Sequence, residues 1–279
     1  MKQTIAMALA FNKILIPVDF SLSTATAVQK AIGYIEKEEG TIHLLHVIKP
    51  RVSASHLIIK DVERNMQLLR EQIAQRLTGI AVKEHIIKGV SVQNTIIEMA
   101  AVLSPDLIII GKQGKRKRWA FFRGSISPGH IARKSNCPVL TAKPGSLESR
   151  TRIIVLPVRN FVPQRKLDLA ILIARKCRAQ VHLLAIQDSS RRQESLLPQP
   201  FIKAYHQLRE TLNHPVEYFP IFRNNTARAT LDYAQFVMAD IILLNPETES
   251  GTSSFVFSRH ISDLIKKDSK LQILDVSPY

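Results

Sequence analysis

The same order of strands and helices runs through this chain twice. Pro105-Asp106-Leu107-Ile108-Ile109-Ile110 returns as Ala239-Asp240-Ile241-Ile242-Leu243-Leu244. Cys137-Pro138-Val139-Leu140 returns as Leu271-Gln272-Ile273-Leu274, at the same offset of 134 residues. Upstream, Ile14-Leu15-Ile16-Pro17-Val18 is repeated by Ile153–Val158, and Ile42-His43-Leu44-Leu45-His46-Val47 by Val181–Ile186. A chain built this way folds as two like units, and what fits one copy constrains the other.

Within the first copy, short apolar runs alternate with helical periodicity. Strands are predicted at Ile14–Val18, Thr41–Ile48, Val82–Ile87, Leu107–Ile110 and Pro138–Ala142. Helices are predicted over about Ser23–Glu38, Ser55–Leu77 and Val92–Leu103, with a last one ending near Lys134. Strands that read as continuous apolar runs and are separated by helices call for a parallel sheet covered on both faces. The fold expected is α/β: two tandem open parallel five-stranded sheets with helices on both faces. The domains expected are 1–143 and 152–279, with a linker at 144–151. The chain is long enough for two proper cores.

No apolar stretch approaches the ~20 residues of a membrane span. Residues 1–10 only imitate a signal peptide, because Phe11-Asn12-Lys13 leads straight into a strand that the core needs. Cys137 and Cys177 have no metal-ligand spacing, which suits reduced thiols in a cytoplasmic protein. The net charge is +16, with +10 over residues 1–149 and +6 over residues 150–279. Such a surface draws anions. Lys115-Arg116-Lys117-Arg118 concentrates that charge, yet no nucleic-acid-binding signature accompanies it.

That basic run sits in a glycine segment directly after the fourth strand: Gly111, two residues, Gly114, nine residues, Gly124-Ser125. Glycines let the backbone come close to a ligand, and N–H groups at a helix start favour an anion. Three competing motifs fail. Gly124 to Gly129 has the Walker A spacing, but His130-Ile131 stands where Lys-Ser/Thr belongs. Ser125 takes the first glycine position of a nucleophile elbow at Ser127. The first strand is followed by Asp19-Phe20-Ser21, without the glycines of a dinucleotide fingerprint.

Gly-x2-Gly-x9-Gly-Ser after the fourth strand, with Ile14–Ser21, Leu44–Val47 and Asn136–Leu140, resembles the universal stress protein family. The likeness spans nearly the whole chain and looks like a tandem member. It implies the adenine nucleotide alpha hydrolase-like fold and a site for ATP or another adenine nucleotide in the first repeat, with Mg²⁺ as a plausible companion. By the resemblance, Asp19 contacts the adenosine portion, Pro17 lines the wall beside it, and the Val47 backbone meets the adenine edge. Gly111, Gly114, Gly124 and Ser125 meet ribose and phosphates, while Ile126 and Ser127 add backbone N–H and hydroxyl donors. Such domains commonly pair through their last strands, so Pro138–Ala142 and Leu271–Val276 are expected to pair as an intramolecular pseudo-dimer. A further homodimer is left open, and so is a protein partner.

Pro128 and Gly129 fall where a helix should already be running. Ser127 as N-cap with Pro128 at the first helical position reconciles them. Trp119-Ala120-Phe121-Phe122 makes the nine-residue insert apolar, for partner contact or base stacking. In the second repeat Arg159 replaces Asp19 and Ile186 replaces Val47, while Asn245, Thr248, Ser258 and Arg259 replace the signature. No ATP is expected there by the family mode; a different anion on Arg159 and Arg259 is the alternative. His43, His46 and His182 read as packed or hydrogen-bonded rather than as ligands. Catalysis is expected to reach at most weak ATP hydrolysis, since no Walker B acid, arginine finger or placed general base is visible.

Overall fold

A computed structural model describes residues 10–36, 38–50, 56–112, 126–146, 150–159, 161–187, 197–245 and 270–277. The first half runs β1 (Lys13–Pro17), α1 (Leu22–Tyr34), β2 (Thr41–Ile48), α2 (His56–Ala74), β3 (Ala81–Lys88), α3 (Val92–Leu103), β4 (Leu107–Gly111), α4 (Pro128–Ser135) and β5 (Val139–Ala142). The second runs β6 (Ile153–Val158), α5 (Gln164–Cys177), β7 (Gln180–Gln187), α6 (Gln199–Thr211), β8 (Val216–Phe222), α7 (Thr226–Phe236), β9 (Ile241–Leu244) and β10 (Gln272–Asp275).

Four of the helices start at a local polar cap. Ser21, Ser91, Ser127 and Asn225 take extended backbone angles, and their side-chain oxygens accept N–H groups of the first turns of α1, α3, α4 and α7. Ser127 with Pro128 behind it is the arrangement expected for α4. Left-handed residues Ser104, Asn136 and Arg178 end α3, α4 and α5. The repeated aspartate is a clamp. Asp106 Oδ2 accepts from the Asn12 and Lys13 amides at 2.9 and 2.7 Å. Asp240 Oδ2 does the same for Arg152 and Ile153 at 2.7 and 3.1 Å. The residue ahead of the fourth strand of each unit thus sets the start of its first strand.

The strands form one ten-stranded sheet, ordered β3-β2-β1-β4-β5-β10-β9-β6-β7-β8. All neighbours are parallel except β5 and β10, which pair antiparallel with Leu140 opposite Leu274. The expected pairing of last strands therefore occurs within one chain. It covers two edges that would otherwise template aggregation. At the outer edges, β3 exposes Lys83 and Lys88 and β8 carries an exposed Pro220, residues that discourage further pairing.

Strand alternation sorts the core into three clusters. Ile14, Ile16, Leu107, Ile109 and Leu140 face α1 and α2, and Ile154, Leu156, Ile241, Leu243 and Leu274 face α5 and α6; all lie in one continuous cluster. On the opposite face, Leu15, Leu45, Ile108 and Val139 pack under α3 and α4. Val155, Leu184, Ile242 and Ile273 pack in a separate cluster with α7. Two cores are expected from length; one face instead shares its core across both halves, because the β5–β10 seam makes the sheet continuous. Polar contacts cross the same boundary. Tyr34 Oη lies 3.0 Å from Thr151 Oγ1, and Lys176 Nζ donates to Glu36 Oε1 at 2.6 Å and to the Ile35 carbonyl at 3.1 Å. The segment joining the halves includes a 3-10 turn at Pro144–Ser146, with Ser146 buried.

Candidate functional site

In the first half the strand order reverses between β1 and β4, so their carboxyl ends open a crevice. Helices α1, α3 and α4 begin at this end of the sheet, α1 on one face and α3 and α4 on the other. Pro17 closes β1 and is buried; the chain then leaves the sheet through Asp19. One carboxylate oxygen of Asp19 is heavily used. Oδ1 accepts from Ser21 Oγ at 2.5 Å, Ser21 N at 3.1 Å and Thr24 Oγ1 at 2.7 Å. The Asp19 amide donates back to Thr24 Oγ1 at 3.0 Å. No hydrogen bond to Oδ2 is found among the described residues. The acid is therefore held by one oxygen and presents the other.

Phe20 has a φ of 58°, a conformation bulky residues rarely adopt. Its ring stacks on His46, with centroids 4.9 Å apart and planes 22° apart. His46 Nδ1 donates to the Val18 carbonyl at 2.9 Å, and burial lowers the pKa of the ring. A neutral imidazole thus braces the strand-end turn that carries Asp19. Val47 follows on β2, buried, and Gly89 beyond β3 packs so closely that a Cβ there would come 3.1 Å from Val47 Cγ1.

Gly111 ends β4 against the first turn of α1, and a Cβ at this position would overlap the Ser23 carbonyl. The first glycine of the signature is therefore required by a strand–helix approach, whatever ligand lies beyond it. Ser23 itself is buried, and its Oγ has no hydrogen-bond partner among the described residues. Ile126 is half-buried against the α3–α4 cluster. The Ser127 Oγ accepts the His130 amide, while the Ser127 amide donates to Gln93 Oε1 at 2.8 Å. Gly114, Gly124, Ser125 and Trp119–Phe122 lie outside the described residues.

The structure thus brings Pro17, Asp19, Val47, Gly111, Ile126 and Ser127 to one end of the sheet. Gln93, Ser23 and Thr24 join them unforeseen; Thr24 was legible in principle as the third residue of a Ser-capped helix beside an acid. The other histidines find partners elsewhere. His43 Nδ1 lies 3.0 Å from His85 Nε2, and His182 Nδ1 lies 2.9 Å from Tyr233 Oη. His43 and His182 are third in β2 and β7, towards the end of the sheet away from the crevice. Burial, with His85 and two lysines nearby, lowers the His43 pKa to about 4. Among the described residues no three His, Cys, Asp or Glu side chains gather as a metal site, and no helix is long and apolar enough to cross a membrane.

At the corresponding end of the second half the constellation is rebuilt. Arg159 follows Pro157-Val158, and Asn245 and Ile186 are buried. Lys166 stands three residues beyond the cap of α5, as Thr24 does in α1. It is fully buried, and its Nζ donates to the Pro157 carbonyl at 2.7 Å. Burial holds its pKa well below the usual lysine range.

This order of strands, with its crevice at the β1–β4 switch point, defines a doubly wound open α/β unit. Residues 10–143 match the Universal stress protein family, and over them the chain belongs to that family. Universal stress protein G of Shigella flexneri is 26% identical over 144 residues, covering 48% of this chain and 99% of that protein. Universal stress protein MJ0577 of Methanocaldococcus jannaschii is 27% identical over 162 residues, covering 49% of this chain and 98% of that protein. The crystal structure of a universal stress protein from Archaeoglobus fulgidus superposes with a TM-score of 0.68 at 16% identity, covering 96% of this chain and 99% of that one. That likeness extends the fold to both halves.

Proposed function

We propose that this chain is a cytoplasmic stress-response regulator that binds ATP, or another adenine nucleotide, in its first domain alone. The domains are residues 1–143 and 152–279, joined by 144–151. The observation that carries the reading is Asp19 at the β1–β4 switch point: three donors hold Oδ1, which leaves Oδ2 for a hydroxyl or amine of the ligand. The orphaned, buried Ser23 Oγ beside Gly111 and the capped start of α4 at Ser127 fit a ligand with polar and anionic parts. Ribose and phosphate contacts from Gly114, Gly124 and Ser125 complete the family signature. Any Mg²⁺ would come with the phosphates, held by their oxygens.

The second domain supports this by contrast. An arginine replaces the acid, and a buried lysine occupies the place of the threonine that positions it. This half serves as a scaffold or docks a protein partner. Regulation rather than turnover fits the described residues, none of which is placed as a general base; hydrolysis, if measured, is slow.

The test is native mass spectrometry of freshly purified, undialysed protein, with release and chromatography of any nucleotide. One adenine nucleotide per chain, lost in Gly124→Val and retained in Arg159→Ala, is expected. Protein that carries none and gives no heat with ATP would sink the reading.

A further inference from the structure

The first N–H of a helix is the group an incoming anion takes, because nothing inside the helix accepts it. At α4 this position is already filled. The Ser127 amide donates to Gln93 Oε1 at 2.8 Å. Gln93 belongs to another helix, in the first turn of α3, and is half-buried. The two residues are 34 positions apart, so this contact is tertiary and not a local cap.

We propose that Gln93 is an internal stand-in for a phosphate oxygen. It satisfies the Ser127 amide while the crevice is empty, and it gives way only to a ligand whose phosphate chain reaches α4. This rests on the adenine-nucleotide reading of the same crevice and adds a phosphate-length filter to it. The chemistry of glutamine suits the role. Its amide oxygen is a neutral acceptor, and a charged phosphate oxygen makes a stronger, charge-assisted bond to the same N–H. Its amide nitrogen can then donate to the displacing anion. Adenosine, which has no phosphate, leaves the Gln93–Ser127 bond in place and gains nothing from its removal. A carboxylate at the same position would hold the amide with a charge-assisted bond of its own and repel phosphate besides.

The experiment titrates the wild-type chain, Gln93→Ala and Gln93→Glu with ATP, adenosine and inorganic tripolyphosphate by calorimetry, following the Ser127 amide resonance by NMR. Gln93→Glu is expected to weaken ATP and tripolyphosphate by about tenfold or more, in line with a charge-assisted competitor. Gln93→Ala is expected to match or exceed the wild type, and adenosine to stay within about twofold in all three. ATP binding that is equal in all three chains, or as weak in Gln93→Ala as in Gln93→Glu, overturns the proposal and leaves the nucleotide reading standing. ATP that binds no better than tripolyphosphate, with no adenosine binding, removes the nucleotide reading; the tripolyphosphate ranking then decides Gln93 alone. A Ser127 resonance that ATP does not move although ATP binds overturns the proposal and leaves the nucleotide reading standing.

Discussion

At the end of β1 the chain reads Pro17-Val18-Asp19, and at the end of β6 it reads Pro157-Val158-Arg159. In the first place a short threonine reaches back from α1 and positions an acid whose second oxygen stays available. In the second a lysine buries its whole length and donates to the carbonyl of the strand's own proline. The strands, their order and the aspartate clamp are kept; what changed is the function of the strand end. One copy leaves a carboxylate oxygen open at the strand end, and the other turns a polar group inward to its own backbone. A duplicated fold can thus retain its architecture while the residues at its two strand ends diverge, because β-strand pairing does not depend on the side chains beyond the strand ends.

The sharpest break of this comparison is at Gly111. A valine there places its Cβ into the Ser23 carbonyl, and overpacking against backbone should cost about 3 kcal/mol in urea unfolding. Asn245, its counterpart, already carries a side chain and should tolerate alanine better.

Lys166 comes next. Its folded pKa lies below its unfolded value, so the unfolded chain binds the extra proton. Stability therefore rises with pH up to the unfolded pKa, by at most about 1.4 kcal/mol per pH unit, and falls as pH drops towards the folded one. Lys166→Met should flatten that slope below the unfolded lysine pKa in thermal melts, while leaving nucleotide binding untouched.

Asp19→Ala should weaken ATP by at least about tenfold in calorimetry, a loss of about 1.4 kcal/mol, with Arg159→Ala within twofold of wild type. Equal losses in both variants would erase the asymmetry between the halves.

The smallest effect is expected at His43, held near 4 against an ordinary 6.5. A lowered folded pKa means that the unfolded state takes up the proton first. Stability is then lost as pH falls from about 6.5 towards 4, by about 1 kcal/mol between pH 7 and 5.5. His43→Gln should remove most of that dependence, as read from urea midpoints at the two pH values.

Much of this architecture was legible in the residues. Thr41–Ile48 and Val92–Leu103 are the strand and helix their patterns predict, and Ser127-Pro128 is the cap it promised to be. The last strands pair as their sequences suggest. Elements run short or long only at their ends: α1 stops at Tyr34 rather than near Glu38, where Ile35 leaves helical geometry and the Glu36 amide bonds to the Phe11 carbonyl. The site was legible in part. Asp19 and Ser127 stood out by position, but Gly111 is explained by Ser23 before any ligand is considered, and nothing near Ser127 in the chain pointed to Gln93.

The sequence by itself determined the duplication, the strand and helix positions and the loss of the signature in the second repeat. These are carried by periodicity, caps and turn residues, all of which act within a few positions of one another. Only the tertiary structure decided that one face shares a single core across both halves, that Lys166 is spent on a strand-end carbonyl, and that Gln93 holds the Ser127 amide. Those outcomes depend on which side chains meet after the sheet has formed. A buried polar group must find its partner there, however far away in the chain that partner lies.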